Sequence, residues 1–445
     1  MNTYSSYKDS GIEWIGEIPS GWRIEKLKYI GNLYGGLTGK SGKDFNNEDN
    51  PYNKPFIPFT NIFNNVYISS NHFQYVNIKP DERQNRVIKN DLFFLMSSEG
   101  YEDLGKSSIL ISEIDELYLN SFCKGYRVNT DDVNPLFVNY QLLGNTHRKL
   151  ISIEGKGFTR INLRQDKLKN TYMFIPPLQE QQQIVDYLDK KTSKIDKLIE
   201  KTEQKIELLK EQRTSLINTT VTKGLDPNVE MKDSGVDWIG EIPSGWILVS
   251  IKRLCSIKRG SSPRPIDNPD YFDVNGEFSW VRIADVSSSE RYLENTKQQL
   301  SELGSSLSTK RYPGDLFLSI AGTVGKPIIT KIKCCIHDGF VWFDGLSINQ
   351  EFLYYVFSVG QCFKGLGKMG TQLNLNTDTV GLVKIPLMDI QEQQEIVDYL
   401  DKETSKIDKL VDIESKRIIL LKEYRQTLIS EVVTGKVDVR NEVLV

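Results

Sequence analysis

Two segments of the chain concentrate basic side chains among small polar residues. Residues 251–264, IKRLCSIKRGSSPR, hold five lysines or arginines and no acid, and residues 145–169 hold seven against two acids. Such loops can bring backbone amides and cations close to phosphates, and Arg, Asn and Gln can pair with guanine or adenine edges. With GLTGKSGK and GKMGTQLNLN they make four loops, two in each half of the chain. One such loop is usually an ordinary solvated loop, but four together favour nucleic-acid binding.

A second motif suggests nucleotide chemistry. Residues 100–107, GYEDLGKS, match the G-x-x-x-x-G-K-S pattern of loops that bind phosphates ahead of a helix. The next residues are rich in β-branched and long apolar types, which predicts a strand where the pattern requires a helix. The corresponding place in the second half, DLFLSIAGTVGKPIIT, has a shorter loop and Pro327 in place of the hydroxyl residue. Both places are therefore predicted to be hairpins.

Composition limits the possible classes of protein. The 445 residues predict two to four domains, and 39% hydrophobic residues are enough for sizeable cores, which excludes wholesale disorder. Lys and Arg total 56 against 59 Asp and Glu, so the chain is not uniformly basic, although local basic faces remain possible. No apolar run approaches the roughly 18 residues of a membrane span, and the first residues do not resemble a secretory signal.

Cysteine and histidine usage argues against metal or nucleophilic chemistry. The five cysteines form no C-x-x-C pair, and only three histidines are present. We therefore expect no disulfide framework, no metal site and a reducing, cytoplasmic location. The Asn-Pro-Pro-aromatic motif of amino-methyltransferases is absent too, so we expect no catalytic residue in this chain.

The chain contains an internal duplication. Residues 8–22, KDSGIEWIGEIPSGW, match residues 232–246 at 13 of 15 positions, and residues 179–199 match residues 391–411 at 18 of 21 positions. We call these repeated segments the frame. The segments between them, about residues 23–172 and 247–383, differ from each other and are called the first and second inserts. A repeated frame with different inserts predicts a similar task performed on two different targets, related by an approximate two-fold. Neutral drift of the inserts is the alternative.

The second frame segment of each half opens a long amphipathic helix. Leucines or isoleucines recur every seven residues between charged positions, as a coiled coil requires. The predicted seam residues are Leu188, Ile195, Leu209 and Leu216 in the first helix, and Leu400, Ile407, Leu421 and Leu428 in the second. We expect the two helices to pair antiparallel, with Thr202, Glu414, Arg213 and Arg425 as polar layers. The alternative is two amphipathic helices that each pack on their own domain.

Helix boundaries and mixed α/β inserts are also predicted. Pro176 and Pro177 precede the first helix, Asp389 with Glu392 predicts a capping box for the second, and Gly224 and Gly435 predict their ends. In the inserts, alternating apolar runs and turn residues indicate mixed α/β domains. The predicted strands are residues 55–59, 92–96, 278–283 and 316–320, and the predicted helices are residues 138–150 and 348–357.

The frame residues resemble the specificity subunits of type I restriction–modification enzymes over essentially the whole chain. The resemblance rests on the KDSG-[IV]-[ED]-WIGEIPSGW box and on the QEQ-x-x-IVDYL segment, each present twice. Residues 314–326, GDLFLSIAGTVGK, and 371–386, TQLNLNTDTVGLVKIP, are similar to the family as well. The first insert departs from it, with NDLFFLMSSEGYEDLGK and GKGFTRINLR in these places.

The resemblance implies two target recognition domains, each recognising half of a split DNA site, and paired helices that act as spacer. Two modification subunits would dock on the helices, and restriction–translocase subunits would join them. S-adenosylmethionine, ATP and Mg²⁺ would then belong to these partners. The implied boundaries are 1–176 and 225–387 for the recognition domains, 177–224 and 388–436 for the helices, and 437–445 for a tail.

Matching to the family's recognition loops nominates DNA-contacting residues, with Arg and Asn reaching bases and Lys more often holding phosphates. In the first domain they are Lys40, Lys43, Lys156, Thr159, Arg160, Asn162 and Arg164. In the second they are Arg259, Ser261, Arg264, Lys326, Lys368, Thr371, Gln372 and Asn374.

Two other hypotheses remain at this point. The chain could be a structural scaffold that bridges two identical proteins without recognising a sequence, its inserts serving as spacers. It could also be a nucleotide-hydrolysing enzyme built on residues 100–107.

Overall fold

Two long helices and many short strands make up the computed structural model, which describes residues 2–13, 15–45, 50–366 and 375–442. Backbone contacts cluster into two units. Unit 1 is Met1–Glu203 with Lys416–Val445, and unit 2 is Gln204–Ser415. The division falls inside both long helices, so each unit holds part of each. The predicted mixed α/β class is confirmed.

Unit 1 holds the first insert. Its strands are β1 (Tyr7–Asp9), β2 (Glu17–Pro19), β3 (Arg23–Lys26), β4 (Gly31–Gly35), β5 (Asn53–Ile57), β6 (Gln74–Asn77), β7 (Leu92–Leu95), β8 (Ser97–Ser98), β9 (Ser107–Ile109), β10 (Tyr118–Leu119), β11 (Cys123–Val128), β12 (Ile161–Asn162) and β13 (Tyr172–Ile175). Its helices are α1 (Leu27–Ile30), α2 (Phe59–Asn64), α3 (Pro135–Leu143), α4 (Asn145–Ile153) and α5 (Gln165–Lys169), followed by the long α6 (Leu178–Lys223), which continues into unit 2.

Unit 2 holds the second insert. Its strands are β14 (Met231–Asp233), β15 (Glu241–Pro243), β16 (Ile247–Ser250), β17 (Ser256–Arg259), β18 (Phe278–Val281), β19 (Tyr292–Leu293), β20 (Gln298–Leu300), β21 (Thr309–Arg311), β22 (Leu316–Ser319), β23 (Pro327–Thr330), β24 (Cys334–Ile336), β25 (Phe340–Asp344) and β26 (Lys384–Leu387). Its helices are α7 (Ile283–Ser288), α8 (Glu302–Ser306), α9 (Gln350–Ser358) and α10 (Thr377–Leu382), followed by the long α11 (Ile390–Val433), which returns to unit 1.

Each insert is built on two main sheets and is closed at its base by a strand pair. In unit 1 the sheet orders are β4-β11-β7-β9 and β10-β5-β6, and in unit 2 they are β17-β25-β22-β23-β19 and β20-β18-β24-β21. β3 pairs antiparallel with β13, and β16 pairs in the same way with β26. The strand that follows each tryptophan of the frame thus lies beside the strand that precedes each long helix, which brings both ends of the insert to the frame.

The two predicted long helices are present. α6 has 46 residues and begins directly after Pro177, and Gly224 follows its end with a φ of 75°. α11 has 44 residues and ends two residues before Gly435, whose φ is 74°. Glycine tolerates this left-handed conformation because it has no Cβ, which explains why both helices end where the glycines predict. Within the described parts of the chain, no helix has both the length and the apolarity to cross a membrane.

The predicted capping box of α11 is only half formed. The Asp389 carboxylate accepts a hydrogen bond from the Glu392 backbone N–H at 2.8 Å, as a cap requires. The Glu392 carboxylate does not reach back to residue 389, because it accepts the indole N–H of Trp246 at 3.1 Å. A contact 146 residues away in sequence therefore replaces the local one.

Most of the predicted seam positions are buried. Leu188, Ile195, Leu400, Ile407 and Leu428 are buried, whereas Leu209, Leu216 and Leu421 are half-buried. In unit 1, Leu188 and Ile195 of α6 share a hydrophobic cluster with Leu428 of α11. In unit 2, Leu400 of α11 shares a cluster with Ile217 of α6. The apolar rows of the two helices therefore lie against each other in both units.

Ion pairs join α6 to α11 in each unit. In unit 1, Arg425 donates to the two carboxylate oxygens of Asp196 at 2.8 and 3.2 Å. In unit 2, Arg213 does the same to Asp408, at 2.8 and 3.3 Å. Asp196 and Asp408 are equivalent residues of the frame, and Arg213 and Arg425 are equivalent residues of the helices that continue from it, so the two halves form the same contact.

The tryptophans of the frame anchor each half in the same way. The Trp22 indole N–H donates to Glu180 of α6 at 2.9 Å, as Trp246 donates to Glu392 of α11. In unit 1 the buried Glu180 also accepts the Tyr4 hydroxyl at 2.7 Å.

Two asparagines dock the inserts on the long helices. Asn134 caps α3, its backbone N–H donates to Gln181 at 2.7 Å, and its side-chain amide donates to Gln182 at 2.9 Å. Asn349 caps α9 and repeats both bonds, with Gln393 at 2.9 Å and Gln394 at 2.8 Å. Although the inserts differ in sequence, each therefore presents the same capped helix to the frame.

A carboxylate on each long helix receives a second, more varied contact from the insert. In unit 1, Asp189 accepts the hydroxyls of Tyr67 and Tyr140. In unit 2, the equivalent Asp401 accepts the Tyr355 hydroxyl at 2.5 Å and the Arg291 guanidinium at 2.5 Å. One tyrosine is thus common to both units, and the other donor is specific to each insert.

The prediction of one continuous helix over residues 138–150 is wrong. Two helices, α3 and α4, meet at Gly144, which is extended with φ −66° and ψ 145°. The break brings the chain against α11, because a Cβ on Gly144 would lie 3.3 Å from the side chain of Val433. Packing against a distant helix therefore ends α3.

The strand predicted over residues 278–283 ends earlier, at Val281. The backbone N–H of Arg282 donates to the side chain of Asp285 at 2.8 Å, which caps α7 and ends the extended run. The strand predicted over residues 55–59 is β5, which is shifted two residues toward the N-terminus, because Pro58 precedes α2.

Candidate nucleic-acid interface

The GKGFTRINLR loop of unit 1 is a narrow hairpin that displays predicted DNA-contacting residues. Lys156 and Asn162 exchange backbone hydrogen bonds of 3.1 and 2.9 Å, which close the loop. Asn162 then pairs with Ser97 as β12 joins β8. Lys156, Thr159, Arg160 and Asn162 all lie exposed on this hairpin. The structure therefore brings these four nominated residues together.

Arg160 is held in place by residues that the sequence analysis missed. Its Nε donates to the Ser97 hydroxyl at 2.7 Å, and its guanidinium lies 5.6 Å from the centroid of the Phe122 ring. Phe122 is itself 63% exposed. Ser97 lies 63 residues from Arg160 in sequence, and Phe122 is also distant, so no local pattern identifies either residue.

The other nominated cations of unit 1 lie in different surroundings. Arg164 forms two hydrogen bonds with Asp166, at 2.9 and 3.1 Å, and both side chains are largely exposed. Lys40 forms an ion pair with Glu82, and only 5% of its side chain is exposed. Lys43 is exposed, in the short turn Gly42–Asp44. Lys43 is therefore more accessible to a phosphate than Lys40, whose charge is already paired.

In unit 2, two nominated residues, Arg259 and Arg264, contact Asp338, and a third, Ser261, has a different partner. Arg259 donates to the backbone carbonyl of Asp338 at 2.5 Å, and Arg264 reaches its carboxylate at 3.2 Å. The Ser261 hydroxyl lies 3.0 Å from that of Thr309. Asp338 is the residue that the sequence analysis missed, and it is suited to accept a hydrogen bond from a cytosine amino group.

The side chain of His337 closes the turn that presents Asp338. His337 accepts the backbone N–H of Gly339 on Nδ1 at 2.8 Å, and its ring lies 4.6 Å from that of Phe340. Burial lowers the pKa of His337, which favours the neutral ring that this acceptor role requires.

Lys326 is engaged inside the domain. Its ammonium donates to the backbone carbonyls of Ser287 at 3.1 Å and Ser289 at 2.5 Å, at the end of α7. Burial lowers the pKa of Lys326. A cation at the carbonyl end of a helix is favourable, so this side chain supports α7 as well as being a candidate DNA contact. Lys368, Thr371, Gln372 and Asn374 lie outside the described residues.

The phosphate-loop motif forms the predicted hairpin. β7 and β9 pair antiparallel on either side of residues 100–106, so a strand follows the motif where a phosphate-binding loop needs a helix. The Ser107 hydroxyl is buried and donates to Asn139 at 2.8 Å. The Lys106 ammonium lies 4.6 Å from the centroid of the Phe63 ring. The corresponding strands of unit 2, β22 and β23, are also an antiparallel pair.

Comparison with known proteins assigns the family. The model of the type I restriction modification DNA specificity domain matches residues 19–208 and again residues 243–425. The chain therefore belongs to the type I restriction–modification specificity subunits, and the resemblance seen in the sequence is confirmed.

Individual relatives match along most of their length. A putative type I restriction enzyme MjaX specificity subunit from Methanocaldococcus jannaschii is 25% identical over 96% of both chains. The StySPI specificity subunit from Salmonella potsdam is 22% identical over 86% of this chain and 82% of its own.

Two solved structures share the fold. One is a chain from work on the complex assembly and conformational transition of the type I R-M system, with a TM-score of 0.72, 17% identity and coverage of 94% of this chain and 99% of that one. The other is the HsdS subunit from Thermoanaerobacter tengcongensis, with a TM-score of 0.54, 17% identity and coverage of 94% and 98%.

Proposed function

We propose that this specificity subunit recognises a bipartite DNA site. The first target recognition domain, residues 1–176, contacts one half of the site, and the second, residues 225–387, contacts the other. One observation carries the proposal: identical frame contacts, such as Trp22–Glu180 and Trp246–Glu392, hold two inserts whose basic loops differ. The frame is repeated, whereas the loops of the inserts differ. Two inserts held in the same way but carrying different loops are suited to recognise two different base sequences.

The long helices would set the spacing between the half-sites. We propose that α6 and α11 form an antiparallel coiled coil, that the halves are related by a pseudo-two-fold, and that two modification subunits dock on this frame. The buried heptad positions and the matched ion pairs Arg425–Asp196 and Arg213–Asp408 support the pairing. Half-sites that face the same side of B-DNA would be about 34 Å apart, one helical turn.

The chemistry would belong to the partners. This chain would act in the cytoplasm as a non-catalytic subunit. The modification subunits would bind S-adenosylmethionine, and the restriction–translocase subunits would use ATP and Mg²⁺. A strand follows the phosphate-loop motif where phosphate binding requires a helix, so this segment does not support nucleotide chemistry.

The test is selection of bound fragments from random duplex DNA by the assembled complex, together with a map of methylated positions in host DNA. Both are expected to return two short constant blocks separated by an unconstrained gap. Exchange of the second insert for that of another specificity subunit should change one block and leave the other. A single uninterrupted block would contradict the two-domain proposal. If the exchange leaves the preference unaltered, the scaffold hypothesis is favoured.

A further inference from the structure

The hairpin over residues 156–162 carries a fully exposed phenylalanine, Phe158. Phe158 is exposed at 104% of its reference area, so its ring has no protein neighbours that shield it from water. Single exposed apolar residues are common and need no explanation by themselves. Phe158 differs because of the backbone that presents it and the charges that surround it.

The backbone of this hairpin is closed by hydrogen bonds and anchored in the core. Lys156 and Asn162 exchange two hydrogen bonds, and the Asn162 side chain donates to the Arg160 carbonyl at 3.3 Å. Gly157 has a φ of 140°, and a Cβ on it would lie 2.0 Å from the Arg160 carbonyl oxygen. Ile161 is buried in the core of unit 1, which fixes the hairpin to the domain. The ring is therefore presented to solvent by a hairpin that is closed by its own hydrogen bonds and attached to the core.

The charge around the ring is positive. Residues 155–165, GKGFTRINLRQ, contain three cations, of which Arg164 is bonded to Asp166, whereas Lys156 and Arg160 lie exposed on the hairpin itself. Arg160 donates to Ser97, and its guanidinium lies over the exposed ring of Phe122. A second exposed aromatic ring, with a cation over it, therefore belongs to the same domain as Phe158. An apolar protein surface would gain nothing from these cations, whereas a nucleic acid offers both phosphates and aromatic faces.

We propose that Phe158 inserts against the bases of the half-site bound by the first recognition domain, and stacks on a base that is partly separated from its neighbour. This inference rests on the proposed function, and it adds a contact that does not depend on hydrogen bonds to base edges. Apolar side chains that enter a base step unstack it locally and bend the duplex. Lys156 and Arg160, the two cations of the hairpin itself, would hold the adjacent phosphates while the ring enters.

The test uses the full-length chain assembled with its modification subunits, and duplex DNA that carries the selected site. The variants are Phe158→Ala and Phe158→Tyr, with Val274→Ala, an exposed apolar residue of unit 2, as the matched control. One base of the first half-site at a time is replaced by 2-aminopurine, whose fluorescence rises when it is unstacked. Thermal unfolding of each variant is measured in parallel.

Phe158→Ala is expected to weaken specific binding roughly tenfold or more, since stacking on one base contributes that order of affinity. It should abolish the fluorescence rise at one base step and leave both the salt dependence and the melting temperature unchanged. Phe158→Tyr and Val274→Ala should stay within about twofold of the unmodified chain. The inference would be overturned if Phe158→Ala had the same affinity and the same fluorescence change as the unmodified chain. It would also be overturned if the variant impaired subunit assembly and left DNA binding unaffected. If the unmodified complex selects no sequence at all, the proposed function itself fails.

Discussion

Arg213 on α6 forms a two-point ion pair with Asp408 on α11, and both nitrogen–oxygen distances lie within 3.3 Å. The arginine side chain is 33% exposed and the aspartate 52% exposed. The pair therefore provides register more than stability, because solvent screens it. The arginine was predicted as a polar layer of the seam, and its aspartate partner lies on the other helix.

Charge exchange tests this register contact. Arg213→Glu alone and Asp408→Arg alone place like charges together, so each should lower the free energy of unfolding by about 0.5–1 kcal/mol. The double variant should recover most of the loss in urea titrations followed by circular dichroism. The same exchange at Arg425 and Asp196 is the matched control and should behave alike. Additive losses in the double variant would show that the side chains do not interact.

Arg291→Ala should destabilise unit 2 strongly. The guanidinium is 16% exposed, bonds Glu351 and Asp401, and lies 4.9 Å from the centroid of the Tyr355 ring. Removing it leaves two carboxylates close together with no cation, so we expect a loss of about 2–4 kcal/mol in chemical denaturation, with faster amide exchange in unit 2.

The control for Arg291 is an exposed ion pair of the same unit. Lys258→Ala removes the partner of Asp344 where both side chains are about half exposed, and should cost within about 0.5 kcal/mol. If the two variants lose equal stability, Arg291 does not hold the insert on α11.

His147 predicts a loss of stability in mild acid. Burial lowers the pKa of this histidine to about 4, and its ring lies 2.9 Å from the Tyr172 carbonyl through Nε2. The unfolded chain takes up this proton near pH 6.5, whereas the folded chain does so only near pH 4. Stability present above pH 6.5 is therefore lost as the pH falls toward 4, by about 1.4 kcal/mol per unit.

His147→Gln checks this assignment, because the amide can still donate to the Tyr172 carbonyl but does not titrate. The variant should flatten the curve of unfolding free energy against pH between about 4 and 6.5. His72→Gln, at an exposed position, is the control. An unchanged slope in His147→Gln would assign the acid sensitivity to other groups.

Lys106→Ala tests the nucleotide-hydrolase hypothesis. The Lys106 ammonium lies over the Phe63 ring and 3.8 Å from Asp103, in a hairpin with a strand on either side. The variant should leave modification and restriction by the assembled complex unchanged, and the purified unmodified chain should bind no ATP by calorimetry. ATP binding that disappears in Lys106→Ala would revive the hypothesis.

What the sequence determined by itself is local or repeated. The heptad spacing and the flanking prolines and glycines predicted α6 and α11 closely, because helix propagation and termination depend on near neighbours. The duplication predicted that equivalent contacts would occur in both halves, as Trp22–Glu180 and Trp246–Glu392 show. The hairpin at residues 100–107 followed from the β-branched run after it.

What the tertiary structure alone decided depends on residues far apart in sequence. Glu392 was expected to complete a local capping box and instead accepts a hydrogen bond from Trp246. Arg264 donates a hydrogen bond to Asp338, which lies 74 residues away in sequence. The helix predicted over residues 138–150 breaks at Gly144, where the chain packs against α11. Spacing along the chain encodes turn and helix geometry, but these contacts join residues far apart in sequence, so only the packing of the fold determines which side chains come within hydrogen-bonding distance.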